Sequence, residues 1–241
     1  DDANSNYGTA VVGTVSGTSI SFGTVVVFQS DAIYKTSIAY DSTNDKAVVI
    51  YRNNGNSNKG TAIVGTVSGT DITFGSPVIF ETGETNYISS AFDSTNGKIV
   101  IAYQDETHTS VNYGLSVVGT VSGTSISFGS PVVFEYAVTN YTSCAYDSAK
   151  EKVVISYRDQ TNSNYGTVII GTVVGTAMTF STAVVFESAT TDATSATYDP
   201  VNGKVLISYR DSGNSDYGTS VVFSVDQIET NLTTENYIGI S

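Results

Sequence analysis

A glycine that follows a tyrosine or a lysine returns along this chain at almost constant intervals. Successive copies of it are separated by 52, 54, 52 and 52 residues. These marker glycines are Gly8, Gly60, Gly114, Gly166 and Gly218. Because self-similarity at a fixed period indicates units that stack on their neighbours, the chain is predicted to be a tandem array of one supersecondary unit of roughly 52 residues.

Each repeat reads as four strands, named A to D here. Strand A consists of small residues that end in an aromatic residue and an aspartate, as in 37–41, and strand B is an apolar run such as 153–158. Asn-Gly pairs such as Asn96-Gly97 predict a tight turn between A and B. Strands C and D form the hairpin seen at 11–22, which a short apolar run follows. Since Val, Ile, Tyr, Phe and Thr favour strands, each unit is predicted to be an antiparallel meander.

The composition of the strands predicts how the meanders are arranged. Small residues suit strand A to a crowded position near an axis, and Pro77 and Pro131 suit strand D to a sheet edge, where no ladder donor is lost. We therefore predict an all-β fold, a β-propeller of about five four-stranded antiparallel blades built from the 52-residue repeats. A solenoid is the alternative arrangement.

The repeats divide the chain into two parts. Residues 1–230 are interpreted as the propeller repeat domain, which starts inside a repeat because Asp1 aligns with Asp159. Residues 231–241 are interpreted as a C-terminal tail. Since 236–240 matches the start of strand A at 86–90, this tail is either a ring-closing strand or the beginning of a following domain. The chain is expected to be a fragment of a longer protein with flanking domains.

Charge and hydropathy limit the partners. Ten basic and twenty-three acidic residues give a net charge of −13, which repels phosphate backbones, so nucleic-acid binding is not expected. No apolar run reaches the roughly 20 residues that span a bilayer, so membrane insertion is not expected either. The single cysteine, Cys144, occupies the position of Ile38 in an earlier repeat and is predicted to be a small buried apolar residue.

Two phrases of the repeat carry a resemblance to known proteins. The hairpin 13–23 and the phrase Ala-Tyr-Asp-Ser at 39–42 and 145–148 resemble propeller-like repeats of large surface and tail-fibre-like proteins of marine bacteria and their phages. The segment 231–239 is similar to one that recurs after such repeats. The resemblance implies a modular protein at the cell surface, outside the cell or on a virion, and it supplies no catalytic or ligand residues to transfer.

The sequence offers little for catalysis. Its one histidine, His108, lies in a polar loop, and the other repeats have no histidine there. Aspartates recur at the same A–B turn in every repeat, where a carboxylate bonds its own backbone, so turn formation explains them better than a glycosidase pair does. We therefore predict no catalytic residue and no enzymatic activity. Glycan hydrolysis is the minor alternative, with its acid near Glu106. The turn aspartates are Asp41, Asp93, Asp147 and Asp199.

Strand alternation predicts that the B–C and D–A connections share one end of the meander. Arg, Asp and Tyr side chains collect there, and such groups hydrogen-bond sugar hydroxyls and stack on sugar rings. The predicted ligand-binding residues are Arg52, Arg158, Arg210, Asp105, Asp159, Asp211, Tyr165 and Tyr217. The alternative is that arginine pairs with aspartate across neighbouring repeats as a structural ring.

The B–C loops also carry oxygen donors at regular positions. Carboxylate and amide oxygens are ligands that Ca²⁺ prefers, so calcium is the one cofactor the sequence suggests, and no other is expected. The candidate ligands are Asp159, Asn162, Asn164, Asp211, Asn214 and Asp216. Turns capped by Asp and Asn side chains explain the same residues without a metal.

These observations favour a noncatalytic binding or attachment module of a larger extracellular or phage-appendage protein. Its expected partners are glycans, bound at several equivalent sites, or a cell-surface receptor. The alternative is a purely structural repeat scaffold that has no ligand.

Overall fold

The computed structural model describes residues 5–107 and 112–226. Every strand pairing in these ranges is antiparallel, and the described residues contain no helix that has the length and hydropathy of a membrane span. The strands are β1 (Tyr7–Ala10), β2 (Gly13–Ser16), β3 (Ser19–Phe22), β4 (Val26–Asp41), β5 (Lys46–Asn53), β6 (Lys59–Ser68), β7 (Asp71–Phe74), β8 (Val78–Asp93), β9 (Lys98–Asp105), β10 (Tyr113–Ser122), β11 (Ser125–Phe128), β12 (Val132–Glu135), β13 (Thr139–Asp147), β14 (Lys152–Asp159), β15 (Tyr165–Val174), β16 (Ala177–Phe180), β17 (Val184–Asp199), β18 (Lys204–Asp211) and β19 (Tyr217–Phe223).

The strands form the predicted A–B–C–D meanders. Sheet I consists of the second half of β4, then β5, β6, and β7 with the first half of β8. Sheet II continues with the second half of β8, β9, β10, and β11 with β12. Sheet III contains β13, β14, β15, and β16 with the first half of β17. Sheet IV contains the second half of β17, β18 and β19. At the N-terminal side, β1 pairs with the first half of β4, and β2 and β3 form a separate two-stranded sheet.

Strand D lies at the edge of its sheet and is made in two pieces. β7 pairs with the end of β6, and β8 pairs with its beginning. Pro77 lies in the interruption between them, where Gly75 N still donates to Val64 O at 2.9 Å. Edge placement explains why proline is tolerated at this point, as the sequence predicted.

At three of the four crossings, strand D leads into strand A of the next sheet without a linker. In β4, β8 and β17 one continuous strand of 16 residues provides both. One non-glycine residue with a left-handed backbone marks each crossing, at φ between 46° and 53°. These residues are Lys35, Tyr87, Tyr141 and Ala193.

The hydrophobic core consists of layers between successive sheets. Alternate residues of each B strand point to opposite faces, so the inner sheets bury both. Val48 and Ile50 of sheet I pack in one cluster with Ile99 and Tyr103 of sheet II. Equivalent clusters join sheet II to sheet III and sheet III to sheet IV. Face-to-face stacking of repeats is therefore what buries the core.

The sheets approach each other more closely along strand A than along strand D. Ser37 Oγ lies 2.8 Å from Ser90 Oγ, and the amide of Cys144 donates to Ser89 Oγ at 3.0 Å, all within A strands of successive sheets. On the outer side, the ring centroids of Phe80 and Phe128 are 5.7 Å apart. Small A residues and large D residues thus give the inter-sheet layer a tapered thickness.

Two local predictions are confirmed. Cys144 is buried between sheets, and burial raises the pKa of its thiol to about 12. The aspartates of the A–B turns bond their own backbone; for example, Asp93 Oδ1 accepts from the amides of Thr95 and Asn96 at 3.0 Å. Asp41, Asp147 and Asp199 do the same. His108 and the predicted tail 231–241 lie outside the described residues.

Candidate functional site

The B–C loops and the D–A crossings meet at one edge of the sheets, which we call the rim. The amide of Thr85 in a crossing donates to Asn58 O in a loop at 3.1 Å, and Thr191 repeats this contact with Asn164 O at 3.0 Å. The rim comprises the loops with the strand residues that flank them, 52–59, 104–107, 112–113, 158–165 and 210–217, and the crossing residues 30–35, 82–87, 136–141 and 188–193. For the described residues, this confirms that the two kinds of connection share one end.

The arginines of the rim are engaged with acids of the same or neighbouring repeats. Arg158 Nη1 forms an ion pair with Asp192 Oδ1 in the next sheet. Arg210 Nη1 lies 3.2 Å from the other oxygen of Asp192, and its Nη2 lies 2.9 Å from Asp216. Asp192 therefore bridges arginines of two successive sheets, and the sequence had not singled it out.

The first arginine, Arg52, has different partners. Its Nη1 lies 3.7 Å from Glu84 of the following crossing, and its Nε donates to Asn54 Oδ1 at 3.0 Å. The guanidinium also lies over the ring of Tyr34, 5.9 Å from its centroid. Tyr34 is the residue paired with Arg52 across the ladder, at the position that Asp192 holds in sheet IV.

The predicted acids of the rim cap their own loops. Asp159 Oδ1 accepts from the amides of Thr161 and Asn162 at 3.0 and 3.1 Å. Asp211 Oδ1 accepts from Gly213 and Asn214 at 2.9 and 3.2 Å, and Asp105 Oδ1 accepts from Thr107 N at 2.9 Å. These bonds favour capped turns as the explanation for the repeated Asp and Asn residues.

The predicted calcium ligands are distributed over two loops. Within residues 5–107 and 112–226, no group of three or more His, Cys, Asp or Glu side chains is arranged to hold a metal. Asn164 and Asp216 both adopt a left-handed backbone at φ 63°, and Asp216 pairs with Arg210. The capping roles of Asp159 and Asp211 give no support for a cation, so calcium stays a prediction.

Some tyrosines of the rim are well exposed. Tyr217 begins strand C of sheet IV with 63% of its surface exposed, whereas Tyr165 is half-buried at the same place in sheet III. Tyr136, which the sequence had not indicated, is 74% exposed, and its ring is 5.5 Å from that of Tyr113 at an angle of 71°. Flat aromatic surface is therefore accessible at several repeats.

The sequence analysis also did not predict a contact between two aromatic rings at the crossings. The centroids of Tyr87 and Tyr141 are 5.0 Å apart. Lys35 Nζ lies over Tyr87 at 5.4 Å, and the Arg158 guanidinium lies over Tyr141 at 4.8 Å. Both tyrosines lie 27 residues after a marker glycine, and this constant spacing could have predicted that they stack. The Lys35–Tyr87 and Tyr87–Tyr141 contacts join crossings of successive sheets, and the Arg158–Tyr141 contact lies within sheet III.

Below the rim, buried tyrosines of strand B donate to glutamates of the preceding strand D. The distances are 2.9 Å from Tyr103 to Glu81 and 2.9 Å from Tyr157 to Glu135. Burial raises the pKa of both tyrosines and also that of Glu135. Each of these bonds joins two successive sheets, so the pairs fix the sheets relative to one another next to the rim.

No protein-family model matches the sequence, and no curated protein shows significant similarity to it. The chemistry of the rim is therefore the basis for assigning a function.

Proposed function

We propose that this chain is a noncatalytic attachment module of a larger extracellular or phage-appendage protein, and that its rim binds glycans. The observation that carries the proposal is the exposure of two tyrosines, Tyr136 and Tyr217, at a rim rich in Asn and Asp. Tyr217 stands next to loop 212–216, and Tyr136 lies in the crossing 136–141.

The residue types suit a sugar. A tyrosine face covers the apolar face of a pyranose, while amides, carboxylates and guanidinium groups bond its hydroxyls. Each such site offers one exposed aromatic face, so each is expected to bind weakly. Because more than one exposed tyrosine lies along the same edge, a surface carrying many copies of the glycan gains affinity through multivalent binding.

We further propose that the stacked sheets surround an axis as a propeller of about five blades, with strand A innermost. The tapered layers support this arrangement, because sheets that are closer along A than along D rotate relative to one another as they stack. Class averages from electron microscopy test it: a ring of blades is expected, and an elongated straight stack would contradict it.

A glycan array tests the binding function. The chain should bind a subset of glycans, and Tyr136→Ala with Tyr217→Ala should abolish binding while the unfolding temperature stays within a few degrees. Arg210→Ala should weaken binding, since this side chain is half exposed. The control is Tyr40→Ala, an exposed tyrosine beside the A–B turn whose hydroxyl bonds Asp45. Binding that survives the double variant, or that is lost in Tyr40→Ala, would refute the assignment of the rim.

A structural scaffold without a ligand is the second candidate, and the ion pairs favour it. Asp192 holds both Arg158 and Arg210, so these arginines stabilise contacts between repeats whether or not a ligand is present. Failure of the wild-type chain to bind any glycan on the array would favour this candidate over attachment.

A further inference from the structure

Three asparagines of the chain directly precede a glycine, and the structure places them in two kinds of turn. Asn96 and Asn202 lie in A–B turns, whereas Asn54 lies in the B–C loop of sheet I. The backbone nitrogen that follows an asparagine can attack its side-chain carbonyl, and glycine allows this because it has no side chain to hinder the approach. The contacts around each pair therefore decide where the reaction occurs.

In the A–B turns, aspartate holds the reacting groups. Asn96 Nδ2 donates to Asp93 Oδ2 at 2.8 Å, and Asn202 Nδ2 donates to Asp199 Oδ2 at 2.5 Å. In sheet IV the glycine nitrogen is engaged as well, since Gly203 N donates to Asp199 O at 2.9 Å. Attack would first require these bonds to break, so the A–B turns are protected from it.

The B–C loop of sheet I leaves the glycine nitrogen unbound. Its capping residue is Asn53, whose side chain accepts from Asn56 N at 3.2 Å. In the equivalent loop of sheet IV, Asp211 Oδ1 also accepts from Gly213 N, at 2.9 Å. Gly55 holds the position of Gly213 and is exposed, and no described residue accepts from its nitrogen. Solvent can therefore take the proton from this nitrogen.

The asparagine carbonyl of the same loop is bound by a cation. Arg52 Nε donates to Asn54 Oδ1 at 3.0 Å. A charged donor on this oxygen draws electron density away from Cγ, and it stabilises the negative charge that the oxygen carries once Cγ has been attacked. The loop of sheet I thus combines an exposed nucleophile with an activated carbonyl.

We propose that Asn54-Gly55 is a site of spontaneous modification, at which the chain converts its own asparagine into an aspartyl or isoaspartyl residue. Gly55 N loses its proton to solvent and forms a bond to Asn54 Cγ. The Cγ–Nδ2 bond then breaks, and the nitrogen leaves as ammonia after it takes a proton from solvent. Water opens the resulting succinimide at either carbonyl, so one ammonia is lost and one water is gained. The product adds a carboxylate to the rim beside Arg52.

Incubation of the full chain in heavy-oxygen water at mildly alkaline pH tests the proposal, with peptide mass mapping as the readout. Position 54 should lose ammonia and gain heavy oxygen at least about tenfold faster than positions 96 and 202, because the A–B turns must first give up hydrogen bonds to a charged group. Equal rates at the three positions, or an unreactive position 54, would overturn the proposal.

Two variants test the contacts that carry it. Ser212→Asn is the matched control, because it creates the same dipeptide in the loop of sheet IV, where Asp211 holds Gly213 N. The new pair should stay intact while Asn54 reacts. Arg52→Met removes the charged donor and should slow conversion at position 54 at least about fivefold. Equally fast reaction of the new pair, or unchanged or faster conversion in Arg52→Met, would overturn the proposal. None of these outcomes depends on glycan binding at the rim.

Discussion

Sheets III and IV are built from nearly the same sequence but lie in different surroundings. Val154 and Ile170 of sheet III are buried against sheet IV, while the equivalent Leu206 and Val222 face outward. Gly166 supports a phenylalanine ring, whereas a Cβ on Gly218 would have no described neighbour within 4 Å. The repeat therefore determines the strands, and the neighbouring repeat determines which of their faces become core.

The largest difference is expected for core truncation. Ile170→Ala should lower the free energy of unfolding by about 2–5 kcal/mol, because it leaves a cavity between sheets III and IV. Val222→Ala, at the equivalent exposed position, should change it by less than about 0.5 kcal/mol. Urea denaturation of both variants measures this contrast. Equal effects would show that sheet IV is covered as sheet III is.

The marker glycines provide the next contrast. Gly166→Ala forces a Cβ into the ring of Phe186 and should cost about 1–3 kcal/mol. Gly218→Ala should be neutral or slightly stabilising, since alanine restricts the unfolded chain. Urea denaturation of both glycine variants tests this contrast. A destabilised Gly218→Ala would mean that another residue packs against Gly218.

The two arginines on Asp192 differ in exposure. Arg158→Ala leaves a poorly exposed carboxylate with fewer donors and should cost about 1–2 kcal/mol. Arg210→Ala should cost less than about 1 kcal/mol, because its side chain is half exposed and solvent screens the pair. Salt should reduce the loss of stability in Arg210→Ala more than that in Arg158→Ala. An equal reduction would contradict the difference in exposure between the two arginines.

The smallest effect concerns a buried hydroxyl. Ser156 is fully buried, and its Oγ has no hydrogen-bond partner among the described residues. Ser156→Ala should therefore be neutral or stabilise the chain by up to about 1 kcal/mol. The equivalent Ser208 lies 2.9 Å from Ser220 Oγ on the open face, and Ser208→Ala should have almost no effect. Thermal unfolding compares the two, and clear destabilisation by Ser156→Ala would indicate an unrecognised partner.

Local features of the fold could be predicted from the sequence. The A–B–C–D order, the edge placement of Pro77, the capped aspartate turns and the burial of Cys144 all follow from residues that are close in sequence or repeat at a fixed period. The common location of the B–C and D–A connections also followed, because strand direction alternates in any meander.

Contacts between repeats could not be predicted in the same way. Arg158 pairs with Asp192, 34 residues away, rather than with the adjacent Asp159, which is used in its own turn. The Tyr87–Tyr141 contact likewise depends on how one crossing lies above the next. A repeat pattern gives the period of such contacts, but the partner is decided by the rotation and spacing of the sheets.

Stacking of equivalent sheets along strand A is the central claim, and a designed disulfide tests it most directly. Ser37 and Ser90 lie in A strands of successive sheets with their Oγ atoms 2.8 Å apart. In the double variant Ser37→Cys, Ser90→Cys, mild oxidation should give an intramolecular 37–90 disulfide, identified by peptide mass mapping, while each single variant stays reduced and monomeric. A folded double variant whose two thiols stay free, or link only between molecules, would contradict the account.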